Sequence, residues 1–451
     1  ARSHSSFTVM RLTSFSRINS SKLPRSASSV YFTLRSGTRA LSSRFQKFTL
    51  WPYDNRQIPP VVYAFQHTRA ICWLRFFSFF IIIELAKKIN TVCNISGRIS
   101  REIARHPHHS LARKKERTMK DLYLVTGAAG HLGLTVVEEL RKEGKTVRAL
   151  VLPGDKAAGK LPAGVEICEG DVLKPASLDA FFAHGDGENL IVIHCAGVVS
   201  IASRFIQKVY DVNFKGTQNI VEMCETYGAK KLVYVSSVHA IPELPAGQVM
   251  TEIDDFHPAD VVGQYAQTKS AASACVLEAA KRGLNASIVH PSGICGPNDW
   301  GRGHLTQLAI DYCKGRLPAG IEGGYDFVDV RDVARAIVAC CEKGQRGECY
   351  ILSNRYVTVR EMLELFHEAT GLRRVRLYVP IGLAKAFAPL CELYYRLARR
   401  TPLYTSYSLT TLTGNANFSH AKADRALGYT VRPFRETVAD TIAWLKKAKR
   451  I

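Results

Sequence analysis

The chain has 451 residues, a net charge of +22 and 12 cysteines. The charge is uneven: residues 1–118 hold 21 Lys+Arg against 4 Asp+Glu (+17), and the other 333 hold 40 against 35 (+5). A near-neutral body behind a basic leader argues against a nucleic-acid partner, and cysteines without a CxxC pair or a His at ligand spacing argue against a metal site or a disulfide framework. Reduced, mostly buried thiols, Cys340 and Cys341 among them, are expected, in a cytoplasmic protein.

Residues 1–118 do not read as a folded domain. The first 50 contain no Asp or Glu and are rich in Ser and Arg, as transit peptides are. The apolar run at 76–83 is bracketed by Arg75 and Glu84, well short of the roughly 20 residues of a membrane span, so no integral span is expected. Met119 stands directly before the first expected strand, and Lys115-Glu116 can be encoded as AAG-GAG, a purine-rich bacterial ribosome-binding signal. The expectation is a native start at Met119; if the leader is native, organelle targeting or peripheral membrane attachment are the alternatives.

Residues 122–125 form a short apolar run with the look of a strand buried on both faces. The run breaks into Gly127, Gly130 and Gly133, after which Leu132, Val136 and Leu140 mark one stripe of a helix ending at Gly144. Strand, glycine turn and helix N-terminus in that order make a pyrophosphate site, because backbone N–H groups and the helix dipole face the anion. Gly127, Ala129, Gly130, His131, Leu132 and Gly133 are therefore candidate dinucleotide contacts.

A second strand at 146–152 ends in Leu152-Pro153-Gly154-Asp155-Lys156. An acid at this strand end binds a ribose 2′-hydroxyl and a base accepts a 2′-phosphate. Arg148, Lys156 and Lys160 lean towards NADP and Asp155 towards NAD, unless all four are solvated surface charges. The cofactor is expected to be NAD or NADP, with a slight lean to NADP.

A third strand at 165–168 leads to Asp171 and Val172, and an Asp there can accept a hydrogen bond from an adenine amino group. The fourth, 190–194, ends in Cys195, Ala196 and Gly197, small residues that let backbone lie against a cofactor. His194 reads as a packed strand-end histidine. A helical stretch from Asp211 ends near Gly228, and a fifth strand, 231–235, delivers Ser236 and Ser237. Tyr265 and Lys269 follow on an Ala-rich helix, and a sixth strand, 286–290, runs into Pro291-Ser292-Gly293. This alternation implies an α/β fold with a Rossmann-type, doubly wound parallel sheet.

Tyr265 and Lys269 lie four apart, on one helix face. A free phenol titrates near 10. A neighbouring ammonium is expected to stabilise the phenolate and lower that value, allowing proton exchange with an alcohol or ketone. The same lysine can bind a nicotinamide ribose, and a strand-end serine can hold the substrate oxygen.

Thr126-Gly127-x-x-Gly130-x-x-Gly133, Asp171-Val172, His194-x-Ala196-Gly197, Asn213-x-x-Gly216-Thr217, Ser236-Ser237, Tyr265-x-x-x-Lys269, Pro291-Ser292-Gly293 and the run DFVDVRDVA at 326–334 together resemble the extended short-chain dehydrogenase/reductase superfamily, the NAD-dependent epimerase/dehydratase family. The resemblance covers nearly all of residues 119–451 and none of the leader. It implies a catalytic serine, tyrosine and lysine, carried here onto Ser237 (Ser236 as second choice), Tyr265 and Lys269, with Asp171, Val172, Cys195, Ala196, Gly197, Pro291 and Gly293 beside the cofactor. Val238-His239 stands where sugar-nucleotide dehydratases carry an Asp-Glu pair, which speaks against elimination.

The VNFKGTQ run at 212–218 and the tail from Asn417 are similar to the 3β-hydroxysteroid dehydrogenase and dihydroflavonol reductase-like branch. That branch implies an NAD(P)-dependent oxidoreductase interconverting a secondary alcohol and a ketone on a small, apolar, steroid- or flavonoid-like substrate. A sugar-nucleotide 4-epimerase and a non-catalytic dinucleotide sensor are the alternatives, and a homodimer is left open. Residues 119–295 are assigned to the dinucleotide-binding domain and 296–451 mainly to substrate binding, with a returning Rossmann segment near 325–352. The apolar stretch 379–397 walls a pocket, docks on a membrane surface or forms a core helix. Arg396, Arg399 and Arg400 face an anionic substrate or make a solvated helix end.

Overall fold

In the first strand, β1 (Lys120–Thr126), successive side chains point to opposite faces. Leu122 and Leu124 join one buried cluster, and Tyr123 and Val125 join another on the far side. A strand apolar on both faces needs cover on both, which a parallel sheet between helix layers provides. The computed structural model describes residues 119–301, 303–387 and 406–451. The expectations for residues 1–118, for the part of the apolar stretch beyond 387 and for Arg396, Arg399 and Arg400 lie outside the described residues.

After β1 come α1 (His131–Lys142), β2 (Thr146–Val151), β3 (Glu166–Glu169), the short α2 (Asp179–Phe182), β4 (Glu188–His194), α3 (Gly216–Thr226), β5 (Lys231–Val235), α4 (Gln264–Arg282) and β6 (Ala286–Pro291). Helix α1 stops before Gly144, which takes φ +72° and turns the chain into β2. Next are β7 (Gly293–Cys295), α5 (His304–Cys313), β8 (Gly320–Ile321), β9 (Gly324–Asp329), α6 (Val330–Lys343), β10 (Cys349–Leu352), β11 (Arg355–Thr358), α7 (Val359–Thr370) and β12 (Tyr378–Val379). The described chain closes with α8 (Ser406–Thr411), α9 (Ala421–Leu427) and α10 (Phe434–Lys447).

Seven strands form one sheet in the order β3-β2-β1-β4-β5-β6-β10, every pair parallel. Val136, Val137 and Leu140 of α1 and Val333, Ala334 and Ile337 of α6 cover one face. Ile220, Val221 and Cys224 of α3 and Ala272, Val276 and Ala279 of α4 cover the other. Burying each such Val, Leu or Ile contributes about 1.5–3 kcal/mol. The winding reverses between β1 and β4, which opens a crevice beyond the carboxyl ends of the strands.

A second sheet, β11-β9-β7, receives β9, which pairs in parallel with β7 and antiparallel with β11. Of residues 325–352, β10 alone enters the main sheet. The DFVDVRDVA run is a fastening between these layers. Asp329 caps α6 by accepting the Arg331 N–H at 2.8 Å and also pairs with its guanidinium at 2.7 Å. Asp332 accepts the Arg432 backbone N–H at 2.8 Å, tying the C-terminal tail to α6. The nine cysteines among the described residues are all free. No helix among the described residues is long and apolar enough to cross a membrane.

Candidate active site

The β1–α1 turn depends on absent side chains. Gly127 has φ +64°, and a Cβ there would lie 2.7 Å from the Ala196 amide nitrogen; one on Gly133 would overlap the Gly127 carbonyl oxygen. Helix α1 starts from Gly130 with no side chain capping it and no acid in its first turn. Its N–H groups and dipole therefore remain available to an anion in the adjoining cavity of about 1050 Å³. The cavity crosses the switch point and is lined by Gly127, Ala129, Gly130, His131, Leu132, Gly133, Asp171, Val172, Cys195, Ala196, Gly197, Ser237, Tyr265, Lys269, Pro291 and Gly293. The candidate serine, tyrosine, lysine and dinucleotide contacts are thus brought to one cavity, whereas Arg148, Lys156 and Lys160 are not among its lining residues.

Buried polar groups hold the crevice walls in place. His194 Nδ1 lies 2.7 Å from Thr126 Oγ1 and its Nε2 3.1 Å from Thr217 Oγ1. Burial holds this imidazole neutral, with its pKa at about 3. Thr126 Oγ1 also accepts the Ala196 N–H at 3.2 Å, so β1, β4 and α3 are locked together at the switch point. Asn213, in a π-helical turn before α3, accepts the Val198 N–H at 2.7 Å and donates to the Val198 carbonyl at 3.0 Å. It thereby fixes the chain just past Gly197.

The end of β5 separates the two serines. Ser236 Oγ pairs with Ser273 Oγ of α4 at 2.7 Å in a buried contact. Ser237 accepts the His239 N–H at 3.2 Å, and its side chain neighbours the Tyr265 phenol. From β6, His290 Nδ1 donates to the Ser237 carbonyl at 3.0 Å. Lys269 Nζ donates to the Val235 carbonyl at 2.8 Å and to Tyr234 Oη at 3.4 Å.

Burial pulls Lys269 down to about 8. Burial also pushes the Tyr265 phenol up to about 12, against the lowering effect of the neighbouring Ser237 side chain. The expected lowering of this phenol by Lys269 is therefore overturned. The ammonium turns to Val235 and Tyr234, and the loss of water around the phenol outweighs the rest. A phenol kept protonated beside a serine hydroxyl can donate a proton to an oxygen on which negative charge develops.

Residues 123–353, from β1 to just past β10, match the family described as the NAD dependent epimerase/dehydratase family. The chain belongs to this family. It is an NAD(P)-dependent enzyme of the extended short-chain dehydrogenase/reductase type. Over 327 residues it is 32% identical to sterol demethylase protein B of Methylococcus capsulatus, covering 72% of this chain and 98% of that relative. It is 28% identical to mouse (Mus musculus) 3 beta-hydroxysteroid dehydrogenase type 7, over 72% of this chain and 95% of that one. Among solved structures it resembles gox2253, with a TM-score of 0.63 at 28% identity, over 74% of this chain and all of that one. The glycine cradle, which a Cβ would fill, and the uncapped start of α1 fit the pyrophosphate of the dinucleotide this family uses.

At the end of β2 this family member has fewer groups to offer than its sequence promised. Arg148 donates to the carbonyls of Phe181 and Ala183 and pairs with Glu166 at 2.9 Å, so it holds β3 and α2 instead. Asp155 accepts the Ala157 N–H at 2.8 Å. The Lys160 ammonium sits 4.2 Å above the Trp300 ring, and Lys156 is exposed. The His131 ring is likewise committed, donating from Nε2 to the Pro297 carbonyl at 2.9 Å, which leaves its backbone to face the cavity.

Tyr325 and Tyr407 were not legible as site residues. The His239 ring stacks on Tyr325 at 5.5 Å and 9°, meets Tyr265 edge-on at 6.0 Å, and tilts against Tyr407 at 6.4 Å. Its Nε2 lies 3.2 Å from Tyr325 Oη, and burial holds it neutral with a pKa of about 4. Tyr407 is seated over Gly263, where a Cβ would run into the ring. Nothing local in the sequence points to this contact, which joins residues far apart in the chain. Beyond this aromatic group the cavity wall is formed by Leu305, Leu308, Phe327, Met362 and Leu412.

Proposed function

We propose that this enzyme interconverts a secondary alcohol and a ketone on an apolar, steroid-like substrate. The observation that carries this reading is the Ser237–Tyr265 pair opening onto a chamber of aromatic and aliphatic side chains, with neutral His239 beside the phenol. Such a wall gives a flat hydrocarbon its apolar burial, with polar side chains such as His304, Thr306 and Thr411 to fix its orientation. The names of two relatives, a sterol demethylase protein and a 3 beta-hydroxysteroid dehydrogenase, point to the same class of substrate.

In this scheme the turn from Gly127 to Gly133 holds the dinucleotide's pyrophosphate, Asp171 and Val172 its adenine end, and Cys195, Ala196, Gly197, Pro291 and Gly293 the backbone walls along it. When bound, the nicotinamide supplies the hydride donor or acceptor. Ser237 orients the substrate oxygen, and Tyr265 gives that oxygen a proton on reduction or takes one on oxidation. Lys269 is assigned to the nicotinamide ribose. NAD and NADP both serve, with a slight preference for NADP resting on Lys156, since the Asp155 carboxylate caps its own turn. The free thiols among the described residues suit a cytoplasmic setting.

The test is turnover with NADH and NADPH against 3-ketosteroids, flavanonols, small ketones and UDP-sugars. Reduction of a ketosteroid is the expected result. Turnover of a UDP-sugar alone would replace this reading with a 4-epimerase. Tight dinucleotide binding with no turnover across the panel would replace it with a sensor.

A further inference from the structure

Two segments far apart in the chain line the cavity and also touch each other. The first follows β2, where Leu152 and Asp155 line the cavity and the chain then makes one 3₁₀ turn, Lys156–Lys160. The second is the loop 296–301 after β7, which contributes Asp299 and Gly301 to the lining. Between them the Lys160 ammonium lies 4.2 Å from the centre of the Trp300 ring, well inside the roughly 6 Å within which an indole face attracts a cation. In the main sheet β2 stands on one side of β1, and β6, which leads into β7, stands on the other. The contact therefore bridges the crevice at the β1–α1 turn, where the pyrophosphate is expected.

The two sides of this bridge are held unequally. The loop carrying Trp300 is braced from several directions. The Pro297 carbonyl meets His131 Nε2 of α1 at 2.9 Å, and Asn298, in the left-handed region at φ +72°, donates to Glu138 of α1 at 2.8 Å. From the C-terminal end, Arg450 donates to the carbonyls of Asp299 at 3.0 Å and Trp300 at 3.3 Å, and Trp444 of α10 meets the Trp300 ring edge-on at 5.2 Å. The turn carrying Lys160 has no buried residue, and Lys160 itself is exposed. A fixed indole on one rim and a lightly held cation on the other make a bridge that can part without unfolding either side.

We propose that Lys160 and Trp300 form a clasp across the crevice that retains the bound dinucleotide, so that release waits on the parting of this pair. The clasp rests on the dinucleotide this family uses and not on the reaction assigned above, and its test needs neither substrate nor turnover. The full chain is loaded with NADH or NADPH and mixed with a large excess of the oxidised form, and the loss of nucleotide fluorescence is followed by stopped flow.

Lys160→Met keeps the stem and removes the charge. Release should quicken by roughly threefold to thirtyfold, the factor a cation–π contact supports, and equally for NADH and NADPH. Lys160→Arg restores a cation over the ring and should release at the parent's rate. Trp300→Leu should also quicken release, and the Lys160→Met/Trp300→Leu double should be no faster than the faster single, because either change alone opens the clasp. The two Lys160 variants should keep the parent's melting temperature, since that side chain is exposed, and they carry the test whatever Trp300→Leu does to its loop. Release from Lys160→Met at the parent's rate would overturn the proposal, as would Lys160→Arg releasing as fast as Lys160→Met. Quickening with NADPH alone would make Lys160 a 2′-phosphate ligand instead. A double whose rate is the product of the two single effects would show that the residues act independently, and the clasp would be excluded.

Discussion

In the proposed reaction, proton transfer depends on which oxygen each hydroxyl reaches. That reading assigns the proton to Tyr265, so Tyr265→Phe should retain the fold and dinucleotide binding. Turnover should fall about 10²–10⁴-fold, the usual contribution of a general acid or base. Stopped-flow rates beside a fluorescence titration with NADPH would show this, and a loss of only a few fold would remove the phenol from the mechanism. Ser237→Ala should mainly lower turnover. Ser236→Ala should instead lower stability, by roughly 0.5–1.5 kcal/mol for the lost hydrogen bond to Ser273, because its hydroxyl is turned into α4. At the cofactor's far end, Lys156→Ala should weaken NADPH more than NADH, whereas Lys160→Ala should weaken them equally, since Lys160 lies over Trp300. Equal effects of Lys156→Ala on the two would end the case for a 2′-phosphate contact.

Among the elements, the β1–α1 turn is the least tolerant. Gly133→Ala places a methyl group on the Gly127 carbonyl, and backbone on both sides leaves it no room to move. Dinucleotide affinity should fall by more than tenfold in a fluorescence titration, while the seven-stranded sheet keeps its circular dichroism. Gly159→Ala is the matched control: no atom lies near the added methyl group, so its affinity should equal the parent's. Such a pair separates the shape of the turn from glycine content in general. Helix α4 has a comparable dependence on Gly263, whose positive φ and missing Cβ let Tyr407 close over the site.

For the whole molecule, burial of neutral histidines predicts acid lability with a definite sign. His194, His239 and His290 stand at about 3, 4 and 4 in the fold, against about 6.5 in an unfolded chain. Their folded values are depressed, so between about 6.5 and 4 the unfolded chain binds more protons than the folded one. Stability is then full above about 6.5 and falls as pH drops through that window. Asp329 also has a lowered pKa, its burial offset by the Arg331 pairing, but its contribution is lost only below the ordinary carboxylate range. The melting temperature should therefore decline already between pH 6.5 and 5, and His239→Gln should make that decline shallower. A curve flat to pH 4.5 would contradict the neutral-histidine account.

The sequence alone determined the alternation of strands and helices, the pyrophosphate turn and the Tyr265–Lys269 pair. Each of these is a local pattern, set by apolar period, by glycine spacing or by two side chains four apart on one helix. The family resemblance, with the register of the strand end, favoured Ser237 over Ser236 as the reacting serine; in the structure the two hydroxyls have different partners. Tertiary structure decided what depends on neighbours distant in the chain. Arg148 leaves the cofactor side because the carbonyls of α2 come within reach. Tyr265 rises rather than falls because burial excludes water from the phenol, while the Lys269 ammonium is turned to Val235 and Tyr234. Tyr325 and Tyr407 join His239 only once β9 and α8 fold across the end of β5. Desolvation and long-range contact have no period in a sequence, and they decide which residues distant in the chain line the crevice.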